Sequence, residues 1–343
     1  MKYAMMGTTG TKVSKLCLGT MNFGTVTDEK ESHRIMNRAL ELGINFFDTA
    51  DFYGAPAGQG VAESIIGNWL ETEKKRDEIV LATKCYGVVG KRGINDRGLS
   101  AYHIRKACDA SLKRLKTDHI DLYIMHHYDR GVRTPLELGN REDYACDANV
   151  HGGFAPSFDE ILEAMERLKL QDKITYIGSS NFPAWAIAHF NGIARFRNMT
   201  GTVMEQDGYS LISRHIETEV LPACRELGVG MMVYSPLAGG KLGGYEKLKE
   251  RVRFKENDIL PIKEKLIAYD RLCHDLGQKP SDVALAWILG NRVVSSVILG
   301  PRTVEQLEDS MRAIEIDLPQ DFLHELDQLW QGPGGEAPEY YAW

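Results

Sequence analysis

Four residues in this chain have side chains and surroundings suited to one piece of chemistry. Asp48 closes the apolar run NFFD, and Tyr53 follows it in DTADFYG. Lys84 closes EIVLATK, and His126 closes IDLYIMH. A lysine or aspartate at the end of a buried strand needs a partner, because an isolated buried charge is costly. A Lys–Asp pair beside a tyrosine has a chemical use. A free phenol has a pKa of about 10, and a neighbouring ammonium lowers it by favouring the phenolate. A tyrosine tuned that way donates a proton to a carbonyl oxygen and takes it back in reverse. A neutral imidazole can hydrogen-bond and orient the same oxygen. The set reduces a carbonyl when something supplies hydride. Taken alone, Asp48 and Lys84 fit a structural ion pair equally well, since such pairs also perturb pKa values. Tyr53 and His126 in matching context tilt the reading to catalysis.

The hydrophobic pattern says what must position these four. Short apolar runs predict strands at 15–18, 45–48, 78–83, 120–125, 174–178, 203–206, 230–234 and 293–299. Between and after them, amphipathic stretches predict helices at 30–42, 61–70, 102–115, 159–170, 184–196, 217–227, 262–276, 281–289 and 304–314. In the third of these, Ile104, Ala107, Cys108, Ser111, Leu112 and Leu115 share one face. Gly43 is a good stop for the first helix, and Pro280 suits a first helical position. Repeated βα alternation implies a parallel sheet. Eight units over this length fit a closed (β/α)8 barrel better than an open doubly wound sheet. The strands are apolar throughout, as burial on both faces requires. One barrel domain spanning 1–343 is the expectation. The four residues then lie at the C-terminal face, where barrel active sites form. Long connections at 86–101, 128–158 and 238–258 rise from that same face, with an insertion at about 130–156, and the aromatic tail spans about 331–343.

Composition narrows the partners. Lys plus Arg number 41 against 48 Asp plus Glu, a formal charge of −7, which argues against nucleic acid or an anionic membrane. With 43% hydrophobic and 26% charged residues, the chain can bury a sizeable core. No run of about 18 apolar residues occurs, so no membrane-spanning helix is expected. The opening MKYAMMGTTG lacks a signal pattern, and the cytoplasm is the expected location. None of the six cysteines forms a C-x-x-C pair, so reduced thiols are expected and zinc is not. Cys17 and Cys85 read as small core fillers, and His151 as a loop residue.

Further motifs follow in one order along nearly the whole chain. They are LGTMNFG at 18–24, DTADFYG at 48–54, TK at 83–84, IDLYIMH at 120–126 and IGSSNF at 177–182. EQDGYSL at 205–211, YSPLAGG at 234–240 and ILGPRTVEQLE at 298–308 complete the set. In this combination the chain resembles the aldo-keto reductases, and GLSAYHI at 98–104 resembles the branch holding potassium-channel β subunits and related bacterial reductases. The resemblance implies a catalytic tetrad of Asp48, Tyr53, Lys84 and His126. Tyr53 is then the general acid, Lys84 paired with Asp48 tunes it, and His126 positions the carbonyl oxygen. It also implies a nicotinamide cofactor, mostly NADPH, bound without a G-x-G-x-x-G loop, and none is present here.

By the same resemblance Ser180, Asn181 and Gln206 hold the carboxamide, and Tyr209 stacks on the ring. Tyr234, Ser235, Pro236, Leu237, Gly240 and Lys241 line the pyrophosphate path. Gly300, Arg302, Gln306 and Ser310 surround the adenosine end, and Gly19, Thr20 and Met21 sit beneath the cofactor. An arginine at the adenosine end suits a 2′-phosphate and favours NADPH over NADH. Spacing alone fits Tyr209 equally to a core aromatic. His127, next to His126, is expected to point the other way on its strand. Phe23, Phe52, Tyr86 and Tyr128 are expected at the substrate rim. Three departures from the family pattern stand out. Ser310 replaces a usual Asn, KLGGYEK replaces T-G-K-Y so that the phosphate-facing Lys is either missing or supplied by Lys241 or Lys247, and the 130–156 insertion is long.

The expected partner is a small carbonyl or alcohol, with the oligomeric state left open. Two rival readings are weighed. A cofactor-binding regulatory subunit would turn over poorly; the retained His126 counts against it. A metal-dependent barrel hydrolase using Asp48 and His126 lacks ligand spacing.

Overall fold

Eight parallel strands close into a barrel in the computed structural model, which describes residues 1–54, 60–89, 93, 95–129, 155–249 and 259–333. A hairpin precedes them, β1 (Tyr3–Met5) with β2 (Lys12–Ser14). The barrel strands are β3 (Leu16–Gly19), β4 (Phe46–Asp48), β5 (Val80–Cys85), β6 (Ile120–Met125), β7 (Ile174–Ser180), β8 (Thr202–Gly208), β9 (Gly230–Tyr234) and β10 (Val294–Leu299). They pair in chain order, with β10 closing onto β3. All eight fall within two residues of where alternation puts them. Most of the 130–156 insertion and of the 331–343 tail lies outside the described residues.

Helices wrap the outside: α1 (Glu29–Glu41), α2 (Val61–Glu73), α3 (Ala101–Leu115), α4 (Phe158–Leu170), α5 (Ala184–Phe196) and α6 (Val220–Leu227). After β9 come α7 (Tyr245–Lys249), α8 (Lys263–Asp275) and α9 (Pro280–Leu289), then α10 (Val304–Ser310) and α11 (Gln320–Leu329). Local chemistry starts several of them. The side chains of Asp28, Ser100 and Ser157 accept from backbone N–H groups in the first turns of α1, α3 and α4. No helix among the described residues is long and apolar enough to cross a membrane.

Strand pleating splits the core into two layers. Cys17, Phe46, Ala82, Leu122, Ile124, Met204 and Met232 fill the barrel interior. Phe47, Leu81, Cys85, Tyr123, Ile177 and Val233 face the helices. Burial drives the Cys17 and Cys85 thiols well up from their ordinary range, so both are inert packing groups.

Four features depart from the periodicity. The β1–β2 hairpin packs Met6 and Val13 into the interior layer. Helix α11 buries Phe322 and Leu326 beside Tyr269. The stretch 304–314 is α-helical only to Ser310, then tightens into a 3-10 turn, and α6 begins at Val220 after a similar turn at His215–Glu217.

Candidate active site

Three consecutive strand ends build the mouth of the barrel. Asp48 is the last residue of β4, Lys84 sits one residue from the end of β5, and His126 follows β6. Lys84 Nζ donates to Asp48 Oδ2 at 2.7 Å, to the Thr49 carbonyl at 2.8 Å and to Tyr53 Oη at 3.3 Å. Gln206 Nε2 donates to Asp48 Oδ1 at 2.8 Å. Lys84 is 0% and Asp48 2% exposed, so each buried charge has its neutraliser. Burial alone would depress the Lys84 pKa, but Asp48 and Tyr53 outweigh it and the net shift is upward.

Tyr53 behaves differently from the sequence expectation. Burial is the largest influence and raises its pKa; Lys84 pulls it down, and the result is a net rise. Asp48 opposes the pull of Lys84, so the ammonium cannot overcome the cost of a desolvated phenolate. The phenol is therefore protonated at neutral pH. His126 is neutral as well: burial, then Lys84 and His127, hold its pKa well below the usual imidazole range.

The rim residues separate. The Phe52 ring stacks on His126, with centroids 4.9 Å apart and planes at 25°. His127 does not point away. Its ring lies parallel to His126 at 4.9 Å and 4°, because β6 ends at Met125 and the pleat no longer governs these two residues. Tyr86 stands edge-on to His127 at 5.2 Å. Tyr128 packs instead against Phe182 and Trp185. Phe23, whose N–H closes a turn onto the Thr20 carbonyl, is fully buried in the layer between strands and helices; it is not at the rim.

A second arc of the mouth holds three of the residues expected around a cofactor: Ser180, Asn181 and Tyr234. Asn181 Nδ2 donates to the His126 carbonyl at 3.0 Å and to Ser180 Oγ at 2.9 Å, and Tyr234 Oη donates to Asn181 Oδ1 at 2.8 Å. Asn181 has φ +58°, a conformation asparagine tolerates. Glu205, which sequence reasoning missed, ties this corner down. It accepts from the Phe182 N–H at 3.0 Å and from the Ser179 hydroxyl. Its signal was a charged residue inside the apolar run VMEQ. Tyr209 is not brought here. It is 2% exposed, its ring lies 5.1 Å from Trp287 of α9, and its Oη donates to Glu217. Tyr234 occupies the mouth, where a Cβ on Gly208 would approach its ring to 3.2 Å.

The chain after β9 turns through left-handed φ at Ser235, Ala238, Gly239 and Gly240. Pro236 is buried, Leu237 and Lys241 are half-buried, and Lys247 is exposed on α7. Across the barrel, a Cβ on Gly19 would meet Ile298 Cγ2 at 2.5 Å, Thr20 Oγ1 donates to the Asp48 carbonyl, and Met21 is 57% exposed. Asn22 Nδ2 donates to the Gly300 carbonyl, and the Arg302 N–H donates to Gln306 Oε1 at 3.0 Å. Ser310 Oγ donates back to the Gln306 carbonyl at 2.9 Å. Among the described residues, no group of three or more His, Cys, Asp or Glu side chains is placed to hold a metal ion.

Known proteins share this chain's pattern. Residues 15–331 match the Aldo/keto reductase family. The chain is 47% identical to the uncharacterized oxidoreductase YrpG of Bacillus subtilis over 100% of both proteins. It is 30% identical to norsolorinic acid reductase stcV of Emericella nidulans, over 93% of this chain and 78% of that protein. It is 32% identical to a probable voltage-gated potassium channel subunit beta of Arabidopsis thaliana, over 99% of this chain and 100% of that protein.

Proposed function

The chain belongs to the aldo/keto reductase family, and on that premise we propose that it reduces an aldehyde or ketone to an alcohol with NADPH, Tyr53 acting as general acid and, in reverse, as base. Membership carries the coarser statement, an oxidoreductase of a small carbonyl compound with a nicotinamide cofactor. One observation carries the finer one: Lys84 Nζ holds Asp48 at 2.7 Å while reaching Tyr53 Oη at 3.3 Å.

That long bond has a mechanistic use. Tyr53 stays protonated until a carbonyl oxygen accepts its proton. As phenolate charge develops, the bond from Lys84 strengthens, so it helps the transition state more than the ground state. Asp48 keeps Lys84 charged, and Gln206 holds Asp48 in place. The neutral imidazole of His126 carries one N–H to orient the carbonyl oxygen.

The residues present fit a nicotinamide cofactor. Ser180 Oγ accepts from Asn181 and keeps its own hydrogen to donate, and Gln206 Oε1 remains as an acceptor, which suits a carboxamide. Tyr234, rather than Tyr209, has the place for ring contact. The turn after β9, left-handed at Ser235, Ala238, Gly239 and Gly240, would run beside the pyrophosphate. Gly19, Thr20 and Met21 would lie beneath, with Gly300, Gln306 and Ser310 at the adenosine end. The exposed Arg302 guanidinium makes no ion pair among the described residues, which supports a 2′-phosphate and hence NADPH over NADH. When bound, NADPH supplies the hydride. The chain as a whole, 1–343, is read as one barrel domain.

The test is Tyr53→Phe in a screen of aldehydes and ketones followed by NADPH absorbance. The variant should lose about 10²–10⁴ in kcat, the usual worth of a general acid. NADPH binding, read by fluorescence quenching, should be retained. Wild-type turnover in the variant overturns the assignment. Parallel assays with NADH should show the weaker KM.

A further inference from the structure

His126 must aim an N–H at a substrate oxygen, yet its Nδ1 is buried and has no hydrogen-bond partner among the described residues. An imidazole in such a role is often oriented by a bond on its other nitrogen. Here rings surround it. Phe52 and His127 each lie near-parallel to His126, with centroids 4.9 Å away. Tyr86 backs His127 edge-on at 5.2 Å. Tyr53 is edge-on to both Phe52, at 5.3 Å, and His126, at 5.9 Å.

The stack draws on three separate strand ends. Phe52 comes from the turn after β4, Tyr86 from the end of β5, and the two histidines from the end of β6. Gly87 makes room for it. A Cβ at that position would lie 2.8 Å from Phe52 Cδ1. Turning the imidazole out of this plane breaks both near-parallel ring contacts, so they restrain its rotation as a hydrogen bond to Nδ1 would.

We propose that the Phe52–His126–His127 stack sets the plane of the His126 imidazole, which makes Phe52 and His127 positioning residues for carbonyl reduction. This inference rests on the reductase reading above. Neither residue need touch the carbonyl. Each acts by denying His126 other orientations, and misplacing a catalytic group by about 1 Å costs up to about 10² in rate.

The test compares His127→Ala, His127→Phe and Gly87→Ala with the wild type. His127→Ala should lower kcat by about tenfold, inside that range, with KM for NADPH and the melting temperature little changed. His127→Phe, which restores a flat ring but no titratable group, should recover most of the loss. Gly87→Ala should imitate His127→Ala by pushing Phe52 aside. A second readout is independent of turnover: the ring protons of His126 in NMR. Two near-parallel rings shift them upfield, His127→Ala should move them back, and His127→Phe should restore the shift. Wild-type kcat and unmoved resonances in His127→Ala overturn the proposal. So does a His127→Phe variant no better than the alanine. If the wild type reduces no carbonyl at all, the reductase reading fails, and the NMR comparison still decides the stack.

Discussion

Strand β5 carries two adjacent polar residues, Thr83 and Lys84, and the pleat sends them to opposite sides of the barrel wall. Lys84 pairs with Asp48, and Thr83 hydrogen-bonds Glu63, which pairs with Arg114; both ion pairs have an N···O distance of 2.7 Å. Outside, Glu63 of α2 accepts from Thr83 Oγ1 at 2.6 Å and from Arg114 Nε of α3 at 2.7 Å, and Arg114 also donates to Ser111. Each member is held by groups on packed elements. The helices there are close: a Cβ on Gly67 would fall 2.1 Å from the Arg114 carbonyl. Inside, Lys84 gives two short bonds to anchored oxygens and one longer bond to the hydroxyl of Tyr53 at the mouth. Burial and ion pairing are common to both clusters. What separates them is a donor shared with a titratable group that faces an opening. The outer cluster joins helices to the wall; the inner one has capacity left for chemistry.

The largest effects should separate the clusters. Lys84→Met removes the shared donor and leaves Asp48 buried with only Gln206. We expect kcat to fall by about 10³ and stability by about 3–5 kcal/mol, read by steady-state kinetics and urea unfolding. Near-normal turnover in Lys84→Met would erase the distinction drawn above. Glu63→Ala should show the opposite balance. It strands Arg114, whose side chain is 18% exposed. The expected loss of stability is therefore nearer the lower figure, about 3 kcal/mol. Turnover per folded molecule should stay within about twofold, since effects at separated clusters are close to additive. A large fall in kcat with stability intact would show that the outer pair belongs to the catalytic machinery.

Much of this organisation was legible in the residues. The barrel strands are short apolar runs bounded by turns, and the four polar residues stand at their ends, where a barrel places its mouth. The hairpin β1–β2 was not legible, because three-residue strands offer too few positions for alternation to register. The place of Tyr209 could have been read from parity. Gln206 points inward, so Gly208 does too and Tyr209 points out, whereas Met232 inside β9 puts Tyr234 inward. His127 resisted the same rule because β6 has already ended. The ring stack on His126 joins three segments far apart in sequence, and local spacing holds no trace of it. The direction of the Tyr53 shift also needed structure, since it depends on how far burial outweighs one ammonium.

Asp51 lies between the two clusters and gives the finest test of their separation. Its backbone N–H donates to the Lys84 carbonyl at 3.1 Å, and its carboxyl is fully buried. Burial, then the charge of Glu63, pushes its pKa well above the ordinary 3.8, against the opposing pull of the Tyr86 N–H, Arg114 and Lys84. Between the unfolded and the folded pKa, the folded protein keeps a proton that the unfolded chain has lost. The stability this contributes is complete below the unfolded pKa and fades as pH rises toward the folded one, by at most about 1.4 kcal/mol per pH unit. Asp51→Asn has no proton to lose. Its stability relative to the wild type should climb as pH rises above the unfolded value of about 3.9, measured by urea unfolding at several pH values, while kcat changes little. A difference that stays flat with pH means Asp51 ionises normally. A difference that falls as pH rises toward the unfolded value of about 3.9 means its carboxylate is stabilised by Lys84 or Arg114. Either result would join the inner and outer clusters through a shared charge, and the contrast between a structural pair and a catalytic one would have to be redrawn around Asp51.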